Sequence, residues 1–360
     1  MNDTTPNTGS ARPILARRRR WRWLKFCLPI VALIVGELTL RVYTWCRGWT
    51  PNCYAAQLRL FRPNAEIGAD LRPGFHMQSG TYSITINSLG LRGPEINRNK
   101  PSNVVRVAIV GESSAFGYLV GDDDVAARRL EANLRAQGLE VEVLNAGVPG
   151  YNLFHSTVRY REVVAPLKPD VVLAYLGWND LTYVVREASE LARFRVRPVA
   201  PAWERQLGRS TLYGLVAYRL LGSPVQMVPS QIGGSRPTNS GAAAFHSNLH
   251  LLADEIKASG ARLVVCAQAT AAHPKVSPRL APVLAQAEED RPDVIRMGAW
   301  LHDRERDFAT ASNAPFLDAY NSIPPTEEYL ADYVHLTVAG EHELAEFWTR
   351  ELLPLLKDEI

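Results

Sequence analysis

Three successive rhythms of hydrophobic and polar positions divide the 360-residue chain. Near the N-terminus an apolar stretch from Phe26 to Leu40, broken by Pro29 and Glu37, is bracketed by Trp21 and Trp23 on one side and Tyr43 and Trp45 on the other. A helix from Trp23 to Trp45 would rise ~33 Å, enough to cross a bilayer with an aromatic residue at each interface. Residues 46–103 are rich in Gly, Pro and Asn, and the short alternation Tyr82-Ser83-Ile84-Thr85-Ile86 predicts a small strand or hairpin. From Val104 onward, apolar runs alternate with amphipathic stretches.

That third rhythm is the signature of a parallel sheet covered on both faces. Strands are expected at Val105–Val110, Val141–Leu144, Val171–Leu176, Arg262–Ala267 and Pro315–Leu317. Helices are expected at Asp124–Gln137, Ser156–Val164, Leu249–Ala258, Val294–Phe308 and Ala339–Leu356. Together they predict an α/β fold: a three-layer α/β/α, doubly wound parallel sheet with an N-terminal transmembrane helix. The alternation fails over 184–241, which mixes Trp203, Tyr213, Tyr218 and several Leu with a Pro/Gly/Ser-rich run; this segment reads as an insertion, either a lid or a surface excursion.

An apolar content of 46% suits a sizeable core and excludes collagen-like and disordered classes. The net charge of +3 is concentrated at Arg12, Arg17, Arg18, Arg19, Arg20, Arg22 and Lys25. This run leads straight into the apolar segment instead of spreading over a folded face with aromatic residues between, so no nucleic-acid partner is expected. A cleaved secretory signal fits the same pattern, but no small-x-small cleavage site follows, which favours an uncleaved anchor. The expected organisation is a disordered basic cytoplasmic tail (1–22), a transmembrane anchor (23–45), a linker with a small strand (46–103) and a main domain (104–357) containing the 184–241 insertion. The excess of Arg and Lys before the span places the N-terminus in the cytoplasm and the main domain in the periplasm or outside the cell. Cys46 and Cys53 fall just past the span and could bridge there, whereas Cys27 and Cys266 read as inert thiols. Glu37 and Arg41, one turn apart, could pair.

In an open parallel sheet ligands bind beyond the carboxyl ends of the strands, so the loops there are where chemistry is sought. After the first strand comes Gly111-Glu112-Ser113-Ser114-Ala115-Phe116-Gly117, which offers a serine at a strand end. Its glycine spacing does not fit a dinucleotide fingerprint, and Tyr118 stands where a phosphate loop needs lysine. The second strand leads to Asn145-Ala146-Gly147-Val148-Pro149-Gly150-Tyr151-Asn152, where a glycine lets backbone approach a ligand. The third is followed by Gly177-Trp178-Asn179-Asp180, with a side-chain amide donor and a carboxylate to hold the loop. Near the C-terminus, Asp332-Tyr333-Val334-His335 sets a carboxylate three residues before an imidazole, the spacing at which Asp332 can orient a base. Each motif alone is ordinary turn chemistry. Their conjunction supplies every role of an acyl-transfer site.

The set Gly111-Glu112-Ser113, Gly150, Asn179 and Asp332-Tyr333-Val334-His335 resembles, in order and spacing, the four sequence blocks of the SGNH (GDSL) hydrolase superfamily, over residues 104–357. Upstream, Asn87-Ser88-Leu89-Gly90-Leu91-Arg92-Gly93 resembles the lead-in of bacterial membrane-anchored members. The resemblance implies a flavodoxin-like SGNH fold, with Ser113 as nucleophile, His335 as base and Asp332 as its orienter. It further implies an oxyanion hole of the Ser113 and Gly150 N–H groups with the Asn179 amide, supported by Glu112 and Asp180. One departure stands out: Glu112 occupies the place of the family's usual Asp and needs extra room beneath the loop. The implied reaction is serine-dependent ester hydrolysis on an O-acylated carbohydrate or lipid; alternatives are an O-acetyltransferase acting on cell-surface polysaccharide and a non-catalytic glycan-binding or scaffold protein. A glycosidase pairing Glu112 with Asp180 or Asp332 would leave Ser113 and Asn179 without roles. No cofactor or metal is expected, since His246 and His250 stand at i, i+4 without an HExxH motif.

Overall fold

The computed structural model describes residues 12–357, apart from 52, 81, 222–235 and 286–287. Residues 1–11 of the expected tail and the centre of the 184–241 insertion therefore lie outside the described residues. Helix α1 (Arg12–Cys46) begins well before the expected boundary at 23, so residues 12–22 are helical and not a disordered tail. The physical reason is the run from Ile14 to Lys25, rich in the good helix formers Arg, Ala and Leu and free of proline, with Pro13 in the first turn where proline is tolerated. Within α1 the 22-residue stretch Lys25–Cys46 is long and apolar enough to cross a membrane.

Residues 61–85 form two antiparallel hairpins, β1 (Phe61–Asn64) with β2 (Gly68–Leu71), and β3 (His76–Ser79) with β4 (Tyr82–Thr85). The main sheet follows: β5 (Val105–Gly111), β6 (Val141–Asn145), β7 (Val171–Tyr175), β8 (Arg262–Ala267) and β9 (Phe316–Asp318). Its order is β6-β5-β7-β8-β9 and every pair is parallel. The chain thus winds one way from β5 to β6 and the other way from β7 onward, and the reversal opens a crevice at the carboxyl ends of β5 and β7.

Alternation along β5 separates the layers. Val105, Val107 and Ile109 face a cluster with helices α3 (Ala126–Ala136) and α7 (Val338–Lys357), including Leu130, Leu134, Leu344 and Trp348. Ala108 and Val110 face the other cluster, formed with α4 (Leu153–Arg159), α5 (Asn239–Ala258) and α6 (Arg291–Ala311) through Leu153, Phe245, Leu252 and Leu301. The short α2 (Ser113–Phe116) opens directly after β5. A third cluster joins the hairpins to the sheet's carboxyl end, where Ile67, Leu71 and Ile84 pack with Phe116, Val148 and Tyr151.

Buried arginines fasten this junction. Arg159 pairs with Asp70 and also donates to the Gly90 carbonyl. Arg92 has a fully buried side chain and donates to the carbonyls of Phe116 at 2.7 Å, Gly117 at 2.6 Å, Val120 at 2.7 Å and Ser83 at 3.0 Å, and to Asp122 at 3.1 Å. The turn presenting it is shaped by Asn87, whose side-chain oxygen accepts the N–H groups of Leu89 and Leu91, with Gly90 at a positive φ of 84°. Residues 87–93, which carried no chemistry in the sequence, thus clamp the segment that follows Ser113.

Cys27, Cys46, Cys53 and Cys266 are all free thiols, so the bridge allowed by the placement of Cys46 and Cys53 is not formed.

Candidate active site

β5 must end on glycine because β7 ends beside it: Gly111 pairs with Tyr175, and a Cβ on Gly111 would lie 2.1 Å from the Tyr175 carbonyl oxygen. Glu112 then turns inward and Ser113 starts α2. Gly147, after β6, allows its loop to lie against the backbone of Ala115 and Phe116, with a Cβ there meeting the Phe116 nitrogen at 2.4 Å. Gly150 has φ of 79°, a left-handed conformation that side chains disfavour.

Ser113 Oγ lies 2.8 Å from His335 Nε2, and His335 Nδ1 lies 2.7 Å from Asp332 Oδ2. A carboxylate at Nδ1 requires the proton on that nitrogen, which leaves Nε2 free to accept from the serine hydroxyl. The other Asp332 oxygen accepts the backbone N–H groups of Val334 and His335 at 3.0 and 2.9 Å. Burial opposes ionisation of Asp332, but hydrogen bonds from the His335 ring and these two amides outweigh it and hold the carboxyl below its ordinary range. Tyr118 packs on the imidazole, ring centroids 5.3 Å apart. The N-capping role open to a serine at this turn is not the one Ser113 takes: Glu112 is the N-cap and makes no side-chain cap.

Glu112 is wholly buried and reaches across to the third loop. Its two oxygens accept the N–H groups of Gly177 at 2.8 Å and Asn179 at 2.9 Å. Burial, reinforced by nearby Asp180, pushes its carboxyl up to about 8 against the pull of these amides. Asp180 is equally buried, accepts the Leu153 N–H at 3.1 Å and the Tyr183 hydroxyl at 2.5 Å, and is pushed up to about 7 by burial. The extra length of glutamate is thus used to span from β5 to the loop after β7. Burial of both carboxylates also overturns a glycosidase reading, since neither can touch a sugar.

The Asn179 amide donates to the Tyr151 carbonyl at 2.7 Å, which leaves its second hydrogen for the cleft. Ser113, Gly150, Asn179 and His335 line one cleft of about 220 Å³, together with Gln57, Leu58 and Phe61. Its far wall comes from the 184–241 segment through Arg197, Pro198, Val199, Ala200 and Tyr218. Arg197 was not singled out in the sequence. It is 6% exposed, lies over the Phe61 ring at 3.8 Å, donates to the Pro149 carbonyl at 3.1 Å and is lowered by burial to about 10. A Cβ on Gly150 would meet its Nε at 3.0 Å. Nothing local marks Arg197 as a site residue, because its partners lie far away in the chain. His246 and His250 meet edge to face with ring centroids 4.5 Å apart, and among the described residues no cluster of three or more His, Cys, Asp or Glu is arranged to hold a metal ion.

No curated protein matches the chain. Solved structures that resemble it include a lipase/acylhydrolase from Enterococcus faecalis, 19% identical, covering 70% of this chain and 96% of its own, with a TM-score of 0.44. An acetyl xylan esterase is 15% identical, covering 68% and 99%, with a TM-score of 0.42. A GDSL-like lipase from Bacteroides thetaiotaomicron is 15% identical, covering 71% and 89%, with a TM-score of 0.40. Residues 109–342, more than half of the chain and all four site loops, match the GDSL-like lipase/acylhydrolase family, and the chain belongs to that family of ester hydrolases.

Proposed function

We propose that this protein is a serine esterase that removes acyl groups from carbohydrate or lipid esters. The observation that carries this reading is the continuous relay from Asp332 through His335 to Ser113, at 2.7 and 2.8 Å, opening on a cleft lined by Gly150 and Asn179. Ser113 Oγ attacks the ester carbonyl while His335 Nε2 takes its proton. The tetrahedral oxyanion is met by the N–H groups of Ser113 and Gly150 and by the free Asn179 amide hydrogen. The C–O bond breaks as His335 returns the proton to the departing alcohol, and water, activated by the same imidazole, releases the acyl group and restores the serine. Glu112 and Asp180 hold the third loop. None of these steps draws on a cofactor.

The chain is further proposed to be anchored by α1, with the basic residues before Lys25 on the cytoplasmic side and the catalytic domain in the periplasm or outside the cell. Turnover of p-nitrophenyl acetate by the full chain in detergent, beside Ser113→Ala and His335→Ala, tests the chemistry. Both variants are expected to lose about 10³-fold or more. Parent-level activity in either would remove the serine mechanism, and a rise in product on adding a sugar acceptor would redirect the reading to acyl transfer.

A further inference from the structure

The segment between Ala202 and Leu221 holds α1 firmly. Glu37 is the first charged residue after Lys25, and its two carboxylate oxygens accept from Arg41 Nε at 2.6 Å, Ser210 Oγ at 2.8 Å, and the N–H groups of Thr211 at 3.0 Å and Leu212 at 2.9 Å. Arg41 donates in turn to the Arg209 carbonyl at 2.9 Å. Gly36 admits the Leu212 side chain, whose nearest carbon would lie 3.5 Å from a Cβ at that position. The carboxylate therefore has four donors and no need of water, as a polar group inside lipid requires.

The level of this contact matters. From residue 37 to the end of the candidate span at Cys46, α1 rises only ~14 Å, less than half the thickness of a bilayer's hydrocarbon core. A segment tied to Glu37 thus lies beside the span, within lipid depth, and its outward surface meets acyl chains. That surface is apolar. Trp203 and Leu207 share one face of the helix Ala202–Leu207 and are 62% and 44% exposed. Val216, Leu220 and Leu221 share another, at 40%, 69% and 79%. Such a patch on a soluble surface would be a liability. Close by, Arg59, Arg72, Arg205 and Arg209 are near enough that, after burial, each other's charge holds Arg59 and Arg72 below their ordinary range. They form a cationic border suited to anionic headgroups.

The same segment builds the cleft. Gly214 abuts Ala55, and Gly208 abuts Leu58, with Cβ approaches of 3.1 and 3.0 Å. Leu58, Ala200 and Tyr218 line the cleft beside Ser113. We infer that the outward face of residues 203–221 is a membrane-contact surface seated in the leaflet around α1, and that the cleft receives a lipid-borne ester from that leaflet. This rests on the anchor and esterase readings above.

The test uses the full chain in phosphatidylcholine/phosphatidylglycerol vesicles with acyl-brominated lipids. Flotation first reports the anchor: a chain that does not float removes that reading, and this inference with it. In floating protein, the parent is expected to lose more tryptophan fluorescence to bromine than Trp203→Phe, and equal losses would overturn the docking surface with the anchor intact. p-Nitrophenyl acetate reports the esterase separately: a silent parent removes delivery to the cleft, while the quenching still decides the docking. In an active parent, the double variant Leu220→Asp with Leu221→Asp is expected to keep p-nitrophenyl acetate turnover within twofold. Its turnover of a long-chain p-nitrophenyl ester dissolved in the vesicles is expected to fall at least tenfold. Unchanged vesicle turnover overturns delivery from the leaflet; loss on both substrates assigns the two leucines to folding, and Trp203→Phe quenching then decides.

Discussion

The carboxylate of Glu112 accepts the backbone N–H of Asn179 at 2.9 Å, so the residue before the serine directly holds the loop that carries an amide donor of the cleft. Shortening this side chain to aspartate withdraws its oxygens from both Gly177 and Asn179. Glu112→Asp is expected to cost about 2 kcal/mol of stability and roughly tenfold in kcat. Urea denaturation and ester turnover measure the two, and a variant equal to the parent in both would show that the reach of glutamate has no consequence.

Asn179→Ala removes the cleft-lining amide that the proposed mechanism aims at developing charge. The expected loss is about 10²-fold or more in kcat with KM nearly unchanged, corresponding to roughly 3 kcal/mol of transition-state stabilisation. A rise in KM at constant kcat would instead make Asn179 a binding residue.

Stability should fall as pH rises. Burial pushes Asp180 from its ordinary 3.8 up to about 7 and Glu112 from its ordinary 4.5 up to about 8 in the folded protein. Between pH about 4 and 8 the folded state therefore binds more protons than the unfolded one, so the stabilisation present below the unfolded values is lost as pH climbs through the folded ones. The melting temperature is expected to drop between pH 5 and pH 9, and to drop less in Glu112→Gln. Parallel profiles in the two proteins would contradict this.

Arg92→Met takes from the buried carbonyls of Phe116, Gly117 and Val120 their shortest hydrogen bond, leaving Phe116 and Gly117 only the longer ones from the Asn145 amide at 3.4 Å and the Val120 N–H at 3.2 Å. About 3 kcal/mol of stability should go, with kcat falling alongside, because the freed segment follows the serine. Hydrogen exchange over residues 116–122 locates the effect; protection unchanged there would separate Arg92 from the serine loop.

The five strands of the main sheet could be read from the sequence because each holds a short apolar run, and β5 and β7 are buried along their whole length, a pattern that needs no knowledge of neighbours. Three of the four site loops were legible for a related reason, since Ser113, Gly150 and Asn179 each follow a strand end within a few residues; the fourth was legible from the local spacing of Asp332 and His335. What could not be read were contacts made by distant chain. Arg92 stood in a stretch to which the sequence attached no chemistry, because its five acceptors are set by tertiary packing. β1 contains Pro63 and lacks an alternating run, so its pairing with β2 was invisible. α5 starts ten residues before the first expected position because Asn239-Ser240-Gly241 reads as loop, although Thr238 caps it by accepting the Gly241 N–H at 2.9 Å.

Ser113 and His335 are separated by 222 residues. During synthesis the serine strand emerges early and the imidazole among the last segments, so the polypeptide carries an unactivated hydroxyl for most of its making. Under the proposed serine mechanism, reactivity would switch on only when β9 and α7 have docked and brought the final loop home. Under that mechanism a chain interrupted anywhere before residue 335 would be inert toward esters, and any acyl groups it met during synthesis would be left untouched.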